Sequence, residues 1–502
     1  MAPDITPHYI GVDGRLVHFV RGGTGPAIAM LHGSPQSHVA LLPLMRRLMP
    51  RFTVFAFDTP GYGASDPLPD GGADIEAFGD ALAATLRALG LGPIPVYGTH
   101  TGASIALAAA NRHPGVVSRA VLDGFAMFTA AERDALLRDH MPLVAPAWDG
   151  GHLVALWSRI RDQSMFFPWF DRRDQTRRAS PPPPVSVQHQ ALLDLLHAGA
   201  HYRVAYGASI SQAASALTQA PSRVRLFCRA DDVLVSHLAR LPDGFPAAQA
   251  QVLDGDAAFC ASAIAEALAG AVSVPASCPA ASGCDEARGY AAGLHFRATG
   301  QGRPLVLLHD LPGSSCTALA DAAALAVGRR VVAFDLPGCG FSPPHAGQDD
   351  PDTLAALLAA ALRSLGLADF DIAGLGVGAR LAADLAQHAK PRRLAQLAAV
   401  SDGLADTYPL DVTPRWDGGH LLSAWFRQRD ALLFFPWFDR GGPLPLPPAV
   451  DLDALQMRVT AILEMRGPDA TAALLRRPAE RAGACFDAAP DMAARALAWL
   501  DQ

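Results

Sequence analysis

Ile94-Pro95-Val96-Tyr97-Gly98-Thr99-His100-Thr101-Gly102-Ala103-Ser104-Ile105-Ala106-Leu107-Ala108-Ala109-Ala110 is the stretch on which the fold turns. Its first four residues read as a short buried strand and the alanine-rich run from Ala103 reads as a helix, so the two glycines bracket a strand-to-helix turn. Gly98 and Gly102 suit a turn too tight for a side chain on either flank. His100 stands at its centre, an imidazole that changes charge near neutral pH.

Two upstream segments share this plan. Ala27–Leu31 leads into His32-Gly33-Ser34-Pro35, and Thr53–Phe57 leads into Asp58-Thr59-Pro60-Gly61-Tyr62-Gly63-Ala64-Ser65-Asp66. In this order the three segments resemble the α/β-hydrolase superfamily, in particular its capped epoxide-hydrolase and haloalkane-dehalogenase-like members. The resemblance implies an α/β fold, a mostly parallel sheet flanked by helices, with a helical cap inserted after the sixth strand. It makes Gly98–Gly102 the nucleophile elbow, whose centre in the family carries a serine or aspartate. It further implies an oxyanion hole built from the backbone N–H groups of Ser34 and Thr101.

In the family a histidine after the last strand and an acid after the preceding strand complete the site. Arg229-Ala230-Asp231-Asp232-Val233-Leu234-Val235 resembles the acid turn and assigns the acid to Asp232, with Asp123, at the end of the sixth strand, as the alternative acid. The histidine is missing: Asp254-Gly255-Asp256-Ala257-Ala258-Phe259 carries alanine where a histidine would precede the aromatic residue. An imidazole at the elbow reaches further than a serine, so the two departures read as one event, a His100–Asp232 dyad in which the carboxylate orients the ring and leaves the other nitrogen as a base. The bland reading is that His100 only fills the pocket of a dead hydrolase. Ser104, one helical turn on, and His32, in the loop, read as structural.

The chain also repeats itself. Trp148-Asp149-Gly150-Gly151-His152-Leu153 recurs at Trp416, and Phe166-Phe167-Pro168-Trp169-Phe170-Asp171-Arg172 recurs at Phe434, both displaced by 268 positions. Asp335-Leu336-Pro337-Gly338 and Gly374-Leu375-Gly376-Val377-Gly378 repeat the core motifs. The expected organisation is two tandem α/β-hydrolase folds: residues 1–270 with a cap at about 125–215, a linker at 271–288, and a degenerate unit at 289–502 with a cap at about 404–465. The second elbow is centred on Gly376, Asp310 replaces Gly33 in the loop, and no strand with a following acid is legible before the terminal helix near residues 493–501. The two halves are expected to pack as a pseudo-dimer.

Length and composition fit this plan. The 502 residues exceed one core, half are hydrophobic and 18% are charged. The net charge of −7, with basic residues scattered, argues against nucleic acid as a partner. No apolar run reaches the roughly 18 residues of a membrane span, the first residues lack a signal-peptide pattern, and seven irregularly spaced cysteines suggest neither disulfides nor a metal cluster. A cytoplasmic protein without metal or cofactor, acting on a small molecule, is the expectation. Trp148, Trp169, His201 and Tyr202 are candidate pocket residues of the cap. The expected activity is hydrolysis, or a lyase, cyclase or isomerase step, on a small and fairly apolar carbonyl or ester-type compound with His100 as base or nucleophile. The rival is an inactive pseudo-hydrolase that binds or scaffolds.

Overall fold

Continuous apolar runs such as Ala27–Leu31 and Thr53–Phe57 have no polar face to show to water, so they belong in the middle of a sheet covered on both sides. The computed structural model, which describes residues 5–69, 74–269, 287–398, 411–434, 437–445, 449–466, 483–486 and 492–501, places both runs there, buried at every position. The chain divides into two units. The first comprises Met1–Val144 and Leu156–Asp285, the second Ala145–Ala155 and Glu286–Gln502.

The first unit is built on eight strands: β1 (Thr6–Val12), β2 (Arg15–Gly22), β3 (Ala27–Leu31), β4 (Thr53–Phe57), β5 (Ile94–Thr99), β6 (Val117–Asp123), β7 (Val224–Arg229) and β8 (Ala250–Leu253). Their order is β1-β2-β4-β3-β5-β6-β7-β8, antiparallel at the β1–β2 and β2–β4 pairs and parallel from β4 onward. The chain leaves β3 for β4 on one side and returns to β5 on the other. Such a reversal opens a crevice at the carboxyl ends of the strands, where open α/β sheets bind ligands. Ser34, His100, Asp123 and Asp232 all lie at or just beyond those ends.

Helix Thr101–Arg112 is buried over most of its length because it is trapped between the sheet and helix Ile75–Ala88. Its alanines are what such a position allows. At Gly79 of the neighbouring helix a Cβ would lie 2.9 Å from the Ala109 nitrogen, so the two backbones touch almost directly. The opposite face is covered by Ile264 and Leu268 of helix Ala257–Ala269, packed with Met45, Leu48, Val54 and Ile28. Between β6 and β7, where the sequence reading expects a cap, the chain forms helices Ala130–Asp139, Gly151–Met165, Val185–Ala198 and Tyr202–Ser211. One part of it differs from expectation. Ala145–Ala155 groups with the second unit, where Trp425 Nε1 donates to the Trp148 carbonyl at 3.0 Å and His152 Nε2 lies 2.6 Å from Gln456 Oε1.

The second unit repeats the plan with β9 (Arg288–Ala291), β10 (Leu294–Thr299), β11 (Arg303–Leu308), β12 (Arg329–Phe334), β13 (Asp371–Leu375), β14 (Leu394–Leu397) and β15 (Ala484–Phe486). Their order is β15-β14-β13-β11-β12-β10-β9. β15 is a correction to the sequence reading, which found no strand after the second cap. It pairs parallel with β14, and its three residues are too few to show any periodicity. Arg329, 2% exposed, bonds Asp371 at 2.5 Å, Asp501 at 2.6 Å and the Leu500 carbonyl at 2.7 Å, tying the terminal helix Met492–Leu500 to the sheet. The expected linker, apart from its last residues, and the start of the second cap lie outside the described residues.

The elbow depends on bare backbone. A Cβ on Gly98 would stand 2.1 Å from the Gly102 carbonyl oxygen, and one on Gly102 would stand 2.4 Å from that of Leu31. Gly102→Ala is therefore expected to destabilise the first unit by roughly 3 kcal/mol or more in denaturant titrations. Gly115→Ala, with nothing within 4 Å of the added carbon, is the control that should cost far less.

Candidate active site

His100 is the residue between the end of β5 and the first turn of helix Thr101–Arg112, at φ 48° and ψ −113°. Side chains avoid this backbone region, and holding one there costs on the order of 1–3 kcal/mol, supplied by the surrounding structure. The hold is visible. His100 N donates to the Asp123 carbonyl at 2.9 Å, while its own carbonyl accepts from Ala103 N at 2.9 Å and Ser104 N at 3.2 Å. Gly33 and Gly124 clear the space around it: a Cβ on Gly124 would lie 2.5 Å from His100 Cδ2, and one on Gly33 would lie 3.1 Å from His100 Cβ.

The ring meets a carboxylate. His100 Nε2 lies 2.8 Å from Asp232 Oδ2, and Asp232 Oδ1 accepts the Leu234 amide at 2.8 Å. The imidazole keeps 42% of its surface open and Asp232 keeps 15%. Burial works against a charged ring, but the charge and hydrogen bond of Asp232, aided by Asp123, outweigh it and hold His100 above its ordinary 6.5 despite nearby Arg178. Burial likewise opposes ionisation of Asp232, yet His100, the Leu234 amide and Arg178 bring it down to about 2. The carboxylate bond puts the neutral ring's proton on Nε2 and leaves a lone pair on Nδ1. That is the reverse of a serine triad, whose histidine bonds its acid through Nδ1.

Asp123, the alternative acid, is turned elsewhere. Its Oδ2 accepts the Tyr97 hydroxyl at 2.8 Å and lies 3.7 Å from Arg229, and its Oδ1 is buried without a hydrogen-bond partner. Burial raises its pKa, against the pull of Tyr97, Arg229 and His100. Its hydrogen bond to His100 runs through the backbone carbonyl. Ala258, where the resemblance would put a histidine, is exposed in the first turn of helix Ala257–Ala269, which Asp256 caps through the Ala258 and Phe259 amides.

A cavity of about 420 Å³ opens over His100, walled by Ser34, Gln36, Leu44, Tyr97, Gln163 and Arg178 among others, and a smaller one of about 120 Å³ shares Ser34, His100, Gln163, Arg178 and Asp232. The cap residues named from the sequence do not line either. Trp148 sits under Arg429, its ring centroid 5.2 Å from the guanidinium carbon, in the stretch that groups with the second unit. Trp169 donates to the His140 carbonyl at 3.0 Å between Arg159 and Arg172. The Tyr202 hydroxyl donates to the Pro142 carbonyl at 2.6 Å, and His201 packs beside Gly61. Tyr206, one helical turn beyond Tyr202, faces the smaller cavity instead, its hydroxyl 2.9 Å from His140 Nε2. Ser104 is buried, bonded to Ser209 at 2.8 Å. Sequence reasoning missed Arg178, Gln163, Tyr206 and Arg229; only Arg229 stood beside a motif that could have drawn attention to it.

His18, His38 and Asp58 are the one set of metal-type side chains that converge among the described residues. Asp58 already accepts His18 Nδ1 at 2.8 Å, His38 Nδ1 at 2.9 Å, and the amides of His38 at 2.7 Å and Ala64 at 3.0 Å. Its oxygens are filled by donors that fix two loops. In the second unit Asp335 does the same with His295 at 2.7 Å and the Ser315 amide at 2.6 Å.

The second elbow is filled from within. Asp310 Oδ1 accepts both the Leu311 amide at 2.8 Å and the Val377 amide at 2.7 Å, the counterparts of Ser34 N and Thr101 N. A Cβ on Gly376 would fall 2.3 Å from Asp310 Cγ, so the aspartate in the second loop requires the glycine at the second elbow. Two amides that converge on a single oxygen are what an oxyanion hole needs. In the first unit the loop carries Gly33 at the position of Asp310, so it brings no carboxylate of its own.

Comparison with known proteins agrees with this architecture. The alpha/beta hydrolase fold family matches residues 26–239 and again residues 303–440. A 2-(acetamidomethylene)succinate hydrolase of Mesorhizobium japonicum is 36% identical over 142 residues, 27% of this chain and 51% of that protein. A soluble epoxide hydrolase of a Corynebacterium species is 31% identical over 119 residues, 24% of this chain and 41% of that one. The chain thus spans about half the length of these relatives. An epoxide hydrolase from an endophytic Streptomyces superposes with a TM-score of 0.41 at 16% identity, over 54% of this chain and 96% of that one.

The pair titrates with a defined sign. His100 is held above 6.5, so its contribution to stability is complete below 6.5 and is lost as pH rises through the higher folded value. That of Asp232 is complete above 3.8 and lost as pH falls toward about 2. Histidine NMR titration is expected to give a His100 midpoint above 6.5 that drops in Asp232→Asn, where burial acts without its opponent; a wild-type midpoint at or below 6.5 contradicts the pairing. In the second unit, Asp310→Ala leaves two buried amides unpaired and is expected to cost roughly 1–3 kcal/mol by denaturant titration. Asp310→Asn, which retains an acceptor, should cost less.

Proposed function

The chain belongs to the alpha/beta hydrolase fold family, and from that premise we propose that its first unit is an enzyme in which His100, oriented by Asp232, acts as a base on a small carbonyl or ester-type compound. The observation that carries this reading is the 2.8 Å contact between His100 Nε2 and Asp232 beside an open cavity of about 420 Å³. Asp232 leaves Nδ1 as the nitrogen with a lone pair. Nδ1 is adjacent to the ring's attachment to the backbone, so an acyl group would crowd there while a proton would not. Base catalysis therefore fits better than covalent attack.

The proton taken is that of water, for hydrolysis, or of a carbon beside a carbonyl, for a lyase, cyclase or isomerase step. Either path builds negative charge on an oxygen, which the amides of Ser34 and Thr101 would receive. The names of the two relatives, one a succinate-derivative hydrolase and one an epoxide hydrolase, favour the hydrolytic path. The second unit, with Asp310 occupying its own anion site, contributes no chemistry in this reading.

Turnover across a panel of esters, epoxides and β-dicarbonyl compounds tests it. His100→Ala is expected to lower kcat/KM by roughly 10²–10⁴-fold, the range of a general base. Because neutral His100 is the working form, the rate should rise with pH through the ring's raised pKa, and Asp232→Asn should move that rise to lower pH. A rate untouched by His100→Ala refutes the role. A protein that binds panel members without converting any of them is the binding protein of the rival reading.

A further inference from the structure

Arg178 lies on the chain after the first cap aromatics and reaches the wall of both cavities around His100, as well as a third hollow of about 580 Å³ behind Asp232. The other charged groups on the larger cavity's wall are matched: His100 with Asp232, and Arg229 with Asp123, which also holds Tyr97. Arg178 has no hydrogen-bonded or ion-paired partner for its guanidinium among the described residues, and feels Asp232 only at longer range. Among the described residues no carboxylate or carbonyl accepts from its guanidinium, and its Nε is buried without a partner. Leaving such a donor unsatisfied costs on the order of 1–3 kcal/mol, more for a charged group.

The protein keeps this cation close to its imidazole. Arg178 is near enough to disfavour the protonated ring of His100 and to lower the pKa of Asp232. Its terminal nitrogens stay accessible from the cavities while its Nε has no partner, so a ligand in the cavity can reach the guanidinium. We propose that Arg178 anchors a carboxylate of the ligand, so that the first unit takes small organic acids carrying an apolar body instead of their neutral counterparts. The planar fork of a guanidinium matches the two oxygens of a carboxylate, which would fill the empty donor at Nε and one terminal nitrogen together. Gln163, whose buried Oε1 also lacks a partner and which borders both cavities, offers an acceptor beside it for a hydroxyl or amide N–H of the same ligand.

This inference rests on the reading that the His100 cavity is a substrate site, and binding measurements separate the two. Isothermal titration of the full-length protein with 4-oxopentanoate and pentanoate, against the amides of both acids, is the test. The wild type is expected to bind each acid at least about 10-fold more tightly than its amide, the ratio a charge-assisted pair supplies. Arg178→Gln should abolish that ratio, and Arg178→Lys should retain a fraction of it by keeping the charge without the fork. Circular dichroism establishes that each variant is folded. If Arg178→Gln does not fold, the drop in Arg178→Lys decides. Equal affinity for acid and amide, no binding of either, or an undiminished ratio in the variants overturns the proposal. A ratio that depends on Arg178 while turnover ignores His100→Ala retires the base and leaves the anchor; the opposite result retires the anchor alone.

Discussion

Everything at the first site depends on how closely three pieces of backbone approach one another at the end of β5. The carbonyl of Leu31, the turn at Gly98 and the first turn of the following helix meet at distances that leave no room for a Cβ. That contact forces His100 to positive φ and pushes its side chain out above the sheet, because the helix behind it is packed against both the sheet and a second helix. The strain is tolerable only because so much buried surface holds it. A surface loop would relax and the ring would lose its aim.

The two copies satisfy the same constraint in opposite ways. Both keep the tight turn, and in the second two amides meet on one oxygen, without which they would be costly in a buried place. In the second unit, Asp310 brings a permanent oxygen and Gly376 gives it space. In the first, the loop carries Gly33 and the elbow carries the imidazole of His100. The Asp310 carboxylate thus occupies the very space that a side chain at the second elbow would need.

Charge follows the same logic. A buried carboxylate is stable when hydrogen-bonded and expensive otherwise, and Asp58 and Asp335 show the fully satisfied case, each wrapped by ring and backbone donors. Asp232 is satisfied by His100 and one amide, which orients the ring while leaving it open to the cavity. Arg178 stands in the same wall with an orphan donor at Nε, as Asp123 does with Oδ1 and Gln163 with Oε1.

What the sequence determined by itself is local or repeated. Glycines at fixed spacing, unbroken apolar runs and a motif that recurs 268 positions later identify two α/β units, their elbows and the turn that carries Asp232, because each of these signals is spent within a few residues of where it is written. The pairing of His100 with Asp232 could be inferred from the motif order, but its length and the nitrogen involved depend on strands β5 and β7, which lie two places apart in the sheet. The cap was opaque. Trp148 and Tyr202 looked like pocket residues by type, yet one groups with the second unit and the other bonds a cap carbonyl, while Tyr206 and Arg178 face the cavity with no motif to mark them. Only tertiary structure decides such cases, because which face of a cap helix meets the core is settled by packing between segments far apart in the chain, and no local pattern records it.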